Sequence, residues 1–194
     1  MHYKLLIMKN VVILASGSGT NAENIIRFFE NSKISRVTWL LSNNPQALAL
    51  DKAKALGVNT MVFTRDDFYV NGRVLIFLQG EQPDLIVLAG FLWLVPSDVV
   101  KAFPGRIINI HPALLPNYGG KGMYGDKVHK AVIDNKEKQS GITIHYVNEK
   151  YDDGDIIFQA SCSVSPDDTP ETLALKIHAL EYEHFPKVIL RLLE

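Results

Sequence analysis

Residues Val11–Phe29, "VVILASGSGTNAENIIRFF", contain a change of periodicity that decides the fold class. Val11 to Ser16 form a continuous apolar run, the pattern of a strand covered on both faces. After "GSGTN", Ala22, Ile25, Ile26 and Phe29 recur at i, i+3, i+4 and i+7, which is one stripe of a helix. Further along, "RVTWLLSN" reads as a strand and "PQALALDKAKALG" as a helix, with Pro45 near its start and Gly57 just past its end. "VNTMVF" is a short strand, 66–82 a helix, "DLIVLAGF" a fully apolar strand and 96–102 a short helix. This alternation predicts an α/β fold with a doubly wound, mostly parallel sheet.

The second half changes character. In "SGITIHYVNE", Ile142, Ile144 and Tyr146 alternate with Thr143, His145 and Val147. In "DIIFQASCSV", Ile156, Phe158, Ala160, Cys162 and Val164 alternate with mostly polar residues. Both runs read as half-buried antiparallel strands toward the C-terminus. The chain closes with a helix for which Thr169 is the expected N-cap, Pro170 the first residue and Pro186 a kink.

A chain of 194 residues with no internal repeat or linker is expected to form one domain over 1–194, with 1–8 as a non-core N-terminal extension. The formal net charge of -1 supplies no field for wrapping nucleic acid, so phosphate recognition must come from local geometry. Cys162 is the only cysteine, which excludes an internal disulfide and suits a reducing cytoplasm. Lys9 and Asn10 break the apolar opening, and no segment reaches the roughly 18 apolar residues of a membrane helix. The expectation is a cytoplasmic chain with no membrane or nucleic-acid partner, as monomer or homodimer.

Three segments could carry chemistry. The loop Gly17, Ser18, Gly19, Thr20, Asn21 lies between a strand and a helix, where glycines allow close backbone approach and helix N–H groups attract an anion. It is neither a full G-x-G-x-x-G nor a lysine-bearing P-loop, so it reads as a phosphate site or as a plain turn with Asn21 as cap. In "GRIINIHPALLPNYGGKG" (Gly105–Gly122), strand alternation puts Asn109 and His111 on one face at the carboxyl end of a strand, where open α/β sheets bind ligands. An amide donor beside an acid/base group suits addition to a carbonyl: one steadies an oxyanion, the other moves a proton. A hydrogen-bonded histidine at a strand end is the other reading. His145 is either a neighbour of this site or a polar strand residue. The acids of "NEKYDDGDII" taken alone read as a solvated turn, but a carboxylate paired with His111 would raise and orient the imidazole. Finally, Leu92, Trp93, Leu94 and Val95 after "LAGF" either line a pocket for a flat heterocycle or pack in the core. No HExxH or His/Cys cluster offers a metal site.

Taken in order, "ASGSGTN", "LAGF", "INIHPALLP", "GITIHYVNEKYDDG" and "HALEYEHFP" resemble the folate-dependent phosphoribosylglycinamide formyltransferases, from about Lys9 to the C-terminus. The resemblance implies a Rossmann-like formyltransferase fold and 10-formyltetrahydrofolate as co-substrate, without a metal. It implies Asn109, His111 and Asp152 as catalytic residues. It also implies Gly17, Ser18, Gly19, Thr20, Asn21 and Glu181 as contacts to the glycinamide ribonucleotide. The folate would lie against Leu92, Trp93, Leu94, Val95, Asn109, Val147, Asn148 and Glu149. The implied reaction is direct attack of the ribonucleotide amine on the formyl carbon, with Asn109 and protonated His111 stabilising the tetrahedral oxyanion and Asp152 keeping His111 charged. Trp93 stands where relatives often carry arginine, and Asp155 where proline is common.

Two other readings stay open. A formyltransferase acting on methionyl-tRNA would be expected to carry a further C-terminal domain and more positive charge, and a deformylase relative an N-terminal regulatory domain; one acting on an amino-sugar nucleotide remains. A non-catalytic nucleotide-binding module would need the phosphate loop but not the Asn109, His111 and Asp152 set.

Overall fold

A computed structural model describes residues 8–194. Most of the expected 1–8 extension, and His2 with it, lies outside the described residues; Met8 precedes the first strand and is exposed. The elements are β1 (Lys9–Leu14), α1 (Thr20–Phe29), β2 (Ser35–Ser42), α2 (Leu48–Ala55), β3 (Asn59–Val62), α3 (Arg65–Tyr69), α4 (Arg73–Glu81) and β4 (Leu85–Leu88). Then follow α5 (Ser97–Ala102), β5 (Ile107–His111), α6 (Asp126–Asp134), β6 (Gln139–Tyr146), β7 (Ile156–Ser163) and α7 (Pro170–Leu193). The strands form a seven-stranded sheet in the order β3-β2-β1-β4-β5-β6-β7. β1 pairs parallel with β2 and β4, β2 parallel with β3, and β6 antiparallel with both β5 and β7. This is the expected mixed sheet, parallel first and antiparallel toward the C-terminus. Among the described residues, no helix is long and apolar enough to cross a membrane.

The chain divides into two compact units, one running to Phe91 with Pro186–Glu194 added, the other Leu92–Phe185. In the first, Val11, Val12 and Ile13 of β1 are wholly inaccessible, which requires cover on both faces. Ala22, Ile25, Ile26 and Phe29 are the buried face of α1, as their spacing dictates. Each such large side chain, taken from water, contributes about 1.5–3 kcal/mol.

Two helices differ from expectation. The stretch 66–82 is broken into α3 and α4: after Tyr69, the N–H groups of Val70 and Asn71 both turn back to the Asp66 carbonyl. Gly72 then takes φ 68, and the Asn71 side chain accepts the Arg73 N–H to start α4. α2 starts at Leu48, three residues beyond Pro45, because Asn44 first closes a turn by accepting Gln46 N–H on its side chain and Ala47 N–H on its carbonyl.

In the second unit, β7 is half-buried as expected, but β6 is not. Ser140 through His145 are all buried, including the polar residues Thr143 and His145. Buried polar groups on a strand need partners, and these two have them in the site. α7 begins as anticipated: Thr169 Oγ1 accepts the Thr172 N–H at 3.3 Å and Pro170 is its first residue. The helix runs on through Pro186.

Candidate active site

The antiparallel register of β5 and β6 sets Asn109 opposite His145 and His111 opposite Thr143. Directly opposed residues share a face, so the alternation of each strand converges on one four-residue patch. Asp152 arrives from the β6–β7 turn. That turn is pinched: Tyr146 N–H donates to the Asp155 carbonyl, and a Cβ on Gly154 would collide with the Tyr146 carbonyl oxygen. Asn148 accepts the Lys150 N–H and donates to Asp153 at 3.2 Å, tying down the outer acids. Asp152 itself adopts φ 52, a left-handed conformation rare for a residue other than glycine, and its carboxylate turns inward while Glu149, Asp153 and Asp155 are exposed. The solvated-turn reading thus holds for three of the four acids.

The hydrogen bonds assign the donors. A carbonyl only accepts, so His145 Nδ1–H donates to the Tyr146 oxygen at 2.8 Å, and its Nε2 meets Asn109 Nδ2 at 3.1 Å and lies 3.7 Å from Asp152 Oδ1. That fixes the Asn109 amide with nitrogen toward His145; its second N–H lies 3.4 Å from Asp152 Oδ1. Asp152 Oδ2 accepts the Gly120 N–H at 2.9 Å and faces His111 Nδ1 at 3.4 Å. By the same logic His111 Nε2–H donates to the Tyr118 carbonyl at 2.8 Å. Tyr118 is left-handed too, at φ 56. Gly119 between these contacts cannot carry a side chain, because its Cβ would meet Leu115 Cδ2 at 2.6 Å and Asp152 Cβ at 3.3 Å.

Burial pushes His111 below its ordinary value of 6.5, with the charge of His145 adding to the effect. The Asp152 carboxylate, the Tyr118 bond and Glu181 pull the other way and do not overcome it. Asp152 thus pulls the imidazole toward its charged form, as expected, but burial outweighs it and the net shift is downward. Burial would also raise Asp152, but the bond to His145, the His111 charge and the Gly120 N–H hold its carboxyl below the ordinary 3.8. Both depressed groups bind protons more readily in the unfolded chain. Their stabilising contributions are therefore present above 6.5 and 3.8 respectively, and are lost as pH falls through the folded values. Asp152→Asn is expected to lower the titration midpoint of His111 further, since it removes the largest opposing cause; histidine-selective NMR across pH measures this directly.

The remaining candidates fall in four places. Gly17–Asn21 lies in the first unit, where the loop is held from several sides. Ser16 N–H donates to the Gly90 carbonyl, Ala49 N–H to the Gly17 carbonyl, and Asn44 Nδ2 to the Ser16 carbonyl. Gly19 is the N-cap of α1 at φ 69, so Asn21 lies inside the helix and the reading of Asn21 as cap is corrected. Gly17 and Ser18 are exposed at this helix N-terminus. Glu181 is buried on α7 and accepts from His178 Nδ1 at 2.9 Å, which raises His178. Of the folate segment, Leu92 is exposed, Trp93 and Leu94 are half-buried and Val95 is buried. Val147 and Asn148 are half-buried beside the Asp152 turn, with Val147 N–H donating to the Ile107 carbonyl. Among the described residues, no cluster of three or more His, Cys, Asp or Glu side chains could hold a metal ion.

Residues 9–189 match the family described as formyl transferase. The chain belongs to the formyl transferase family. Its relatives within that family include the chloroplastic phosphoribosylglycinamide formyltransferase of Arabidopsis thaliana, 37% identical over 187 residues. The match takes in 93% of this chain and 64% of the plant protein. The phosphoribosylglycinamide formyltransferase of Bacillus subtilis is 34% identical, across 96% of this chain and 95% of that one. In structure, the phosphoribosylglycinamide formyltransferase of Bacillus halodurans superposes with a TM-score of 0.86 at 36% identity, covering 96% of each chain. A formyl transferase fold of the Rossmann-like type accounts for the mixed seven-stranded sheet.

Proposed function

We propose that the chain, acting as a single formyltransferase domain in the cytoplasm, moves the formyl group of 10-formyltetrahydrofolate to the amine of phosphoribosylglycinamide, a step of purine synthesis. The observation that carries this reading is the convergence of Asn109, His111 and Asp152 from β5 and the β6–β7 turn, in a formyl transferase chain. The ribonucleotide phosphate would sit on the Gly17–Asn21 loop, where a helix N-terminus favours an anion. Glu181 would face the ribonucleotide, and the folate would lie along Leu92–Val95, Asn109 and Val147–Glu149.

The neutral amine attacks the formyl carbon, forming the new C–N bond while the carbonyl π pair moves to oxygen. Asn109 can meet that oxyanion by exchanging its long 3.4 Å bond to Asp152, because the 3.1 Å bond to His145 keeps the amide aimed. His111 must give up the Tyr118 carbonyl to reach substrate. Its ring hydrogen then belongs on Nδ1, where Asp152 accepts it, which frees the Nε2 lone pair for the proton shed by the attacking nitrogen. A neutral starting imidazole suits this order. The resulting imidazolium, steadied by Asp152, passes the proton to the folate nitrogen as the old C–N bond breaks and the carbonyl re-forms. Atoms and charge balance with no covalent enzyme intermediate.

The test is single-turnover formyl transfer, followed by folate absorbance, with phosphoribosylglycinamide, an amino-sugar nucleotide and methionyl-tRNA offered in turn. Acceptor-dependent loss of the formyl donor is expected with phosphoribosylglycinamide. Turnover only with another amine would move the chain to a different acceptor, and none with any amine would favour a binding role.

A further inference from the structure

Three strands set His111, Thr143 and Gln159 in a single row: His111 is opposite Thr143 across β5–β6, and Thr143 is opposite Gln159 across β6–β7. The middle residue is fully buried and all its hydrogen-bonding capacity is used. Its hydroxyl donates to the Ala113 carbonyl at 2.7 Å and accepts from Leu115 N–H at 3.0 Å and Gln159 Nε2 at 2.8 Å. Gln159 Nε2 also donates to the Leu115 carbonyl at 3.1 Å. Three of these bonds grip the backbone of 113–115 just after His111, and the fourth ties Gln159 to Thr143.

From that grip the chain runs to two groups that face the reactive cluster, the Tyr118 carbonyl on His111 and the Gly120 N–H on Asp152. Leu115 is also the side chain against which Gly119 is seated, with Asp152 on the other side of the same glycine. Whatever fixes Leu115 thus fixes the distance between the 118–120 backbone and both catalytic groups. We propose that Gln159, acting through Thr143, is a positioning residue that holds the 113–120 backbone so that Tyr118 and Gly120 orient His111 and Asp152. Only its kinetic readout rests on the proposed role of His111.

Gln159 is exposed overall and turns only its amide inward, so Gln159→Leu removes both donors without opening a cavity. The NMR titration and tautomer signature of His111 are compared in the unaltered chain, Gln159→Leu, Thr143→Val and the hydroxyl-retaining Thr143→Ser, alongside kcat and KM against pH. Gln159→Leu is expected to displace the His111 midpoint and the matching limb of the kcat profile, and to lower kcat roughly 3–10-fold with both KM values held. Thr143→Ser should restore the behaviour that Thr143→Val loses. His111 signals and pH limb unchanged in Gln159→Leu, with lower thermal stability alone, would overturn the proposal. A displaced His111 midpoint with unchanged turnover would uphold the latch and overturn His111 as the proton carrier. Gln159→Leu decides the matter even if Thr143→Val does not fold.

Discussion

His111→Ala lowers the single-turnover rate of formyl transfer by roughly 10²–10⁴-fold while both substrates still bind, since this is the usual contribution of a positioned proton-transfer group. The effect is large because the imidazole meets both the Asp152 carboxylate and the 118–120 backbone. Its Nδ1 faces Asp152 Oδ2 at 3.4 Å and its Nε2 meets the Tyr118 carbonyl at 2.8 Å. No neighbour can replace it: His145, the nearest other imidazole, spends Nδ1 on the Tyr146 carbonyl and Nε2 on Asn109. The variant also leaves the Tyr118 carbonyl without its donor, a desolvation cost of about 1–3 kcal/mol that thermal unfolding should detect. Rate and stability are separable. His111→Asn retains a donor and should recover part of the stability but little of the rate. Unaltered transfer in His111→Ala would remove His111 from the chemistry.

Gly19→Ala is expected to weaken binding of the phosphorylated substrate by on the order of 10–100-fold, the worth of one or two charge-assisted hydrogen bonds. The reasons are steric and conformational together. At φ 69 an alanine is strained by roughly 1–2 kcal/mol, and its Cβ would lie 2.5 Å from both Cα and Cβ of Ala49. Ala49 cannot retreat without breaking its own N–H bond to the Gly17 carbonyl, so the loop must move instead. Gly17 is the control: its added Cβ meets nothing within 4 Å and its φ is not in the left-handed range, so Gly17→Ala should leave thermal stability nearly unchanged. Isothermal titration with the ribonucleotide, paired with melting curves, separates lost binding from lost stability. Equal affinity in Gly19→Ala would take the phosphate away from this loop.

The α/β class was legible in the sequence because β1 and α1 advertise their periods without interference: four large apolar residues in a row, then a stripe at helical spacing. The break between α3 and α4 was hidden because Val74 and Leu78 continue an apolar pattern across Gly72, and only the Asn71–Gly72 pair signals the stop. Asn109 and His111 stood out because polar residues ended an apolar strand. Thr143 and His145 carry the same two-residue spacing on β6, but register, which alternation cannot supply, is what brings the two pairs face to face. The Tyr118 carbonyl and Gly120 N–H were beyond reach, since backbone groups leave no mark in side-chain identity. The net shift of His111 is out of reach of the sequence for a related reason: a carboxylate can be guessed from a motif, whereas the depth of burial that outweighs it depends on the folded surroundings.

The bond between His111 and the Tyr118 carbonyl bears on waste as much as on catalysis. An activated formyl group beside a free imidazole invites attack by water, which is far more abundant than any amine. While a main-chain oxygen occupies Nε2–H and a carboxylate faces Nδ1, the ring has no lone pair to offer a water molecule on the substrate side. On the proposed mechanism the donor would thereby be spared hydrolysis when it binds alone, the imidazole becoming reactive once the amine-bearing substrate displaces the carbonyl.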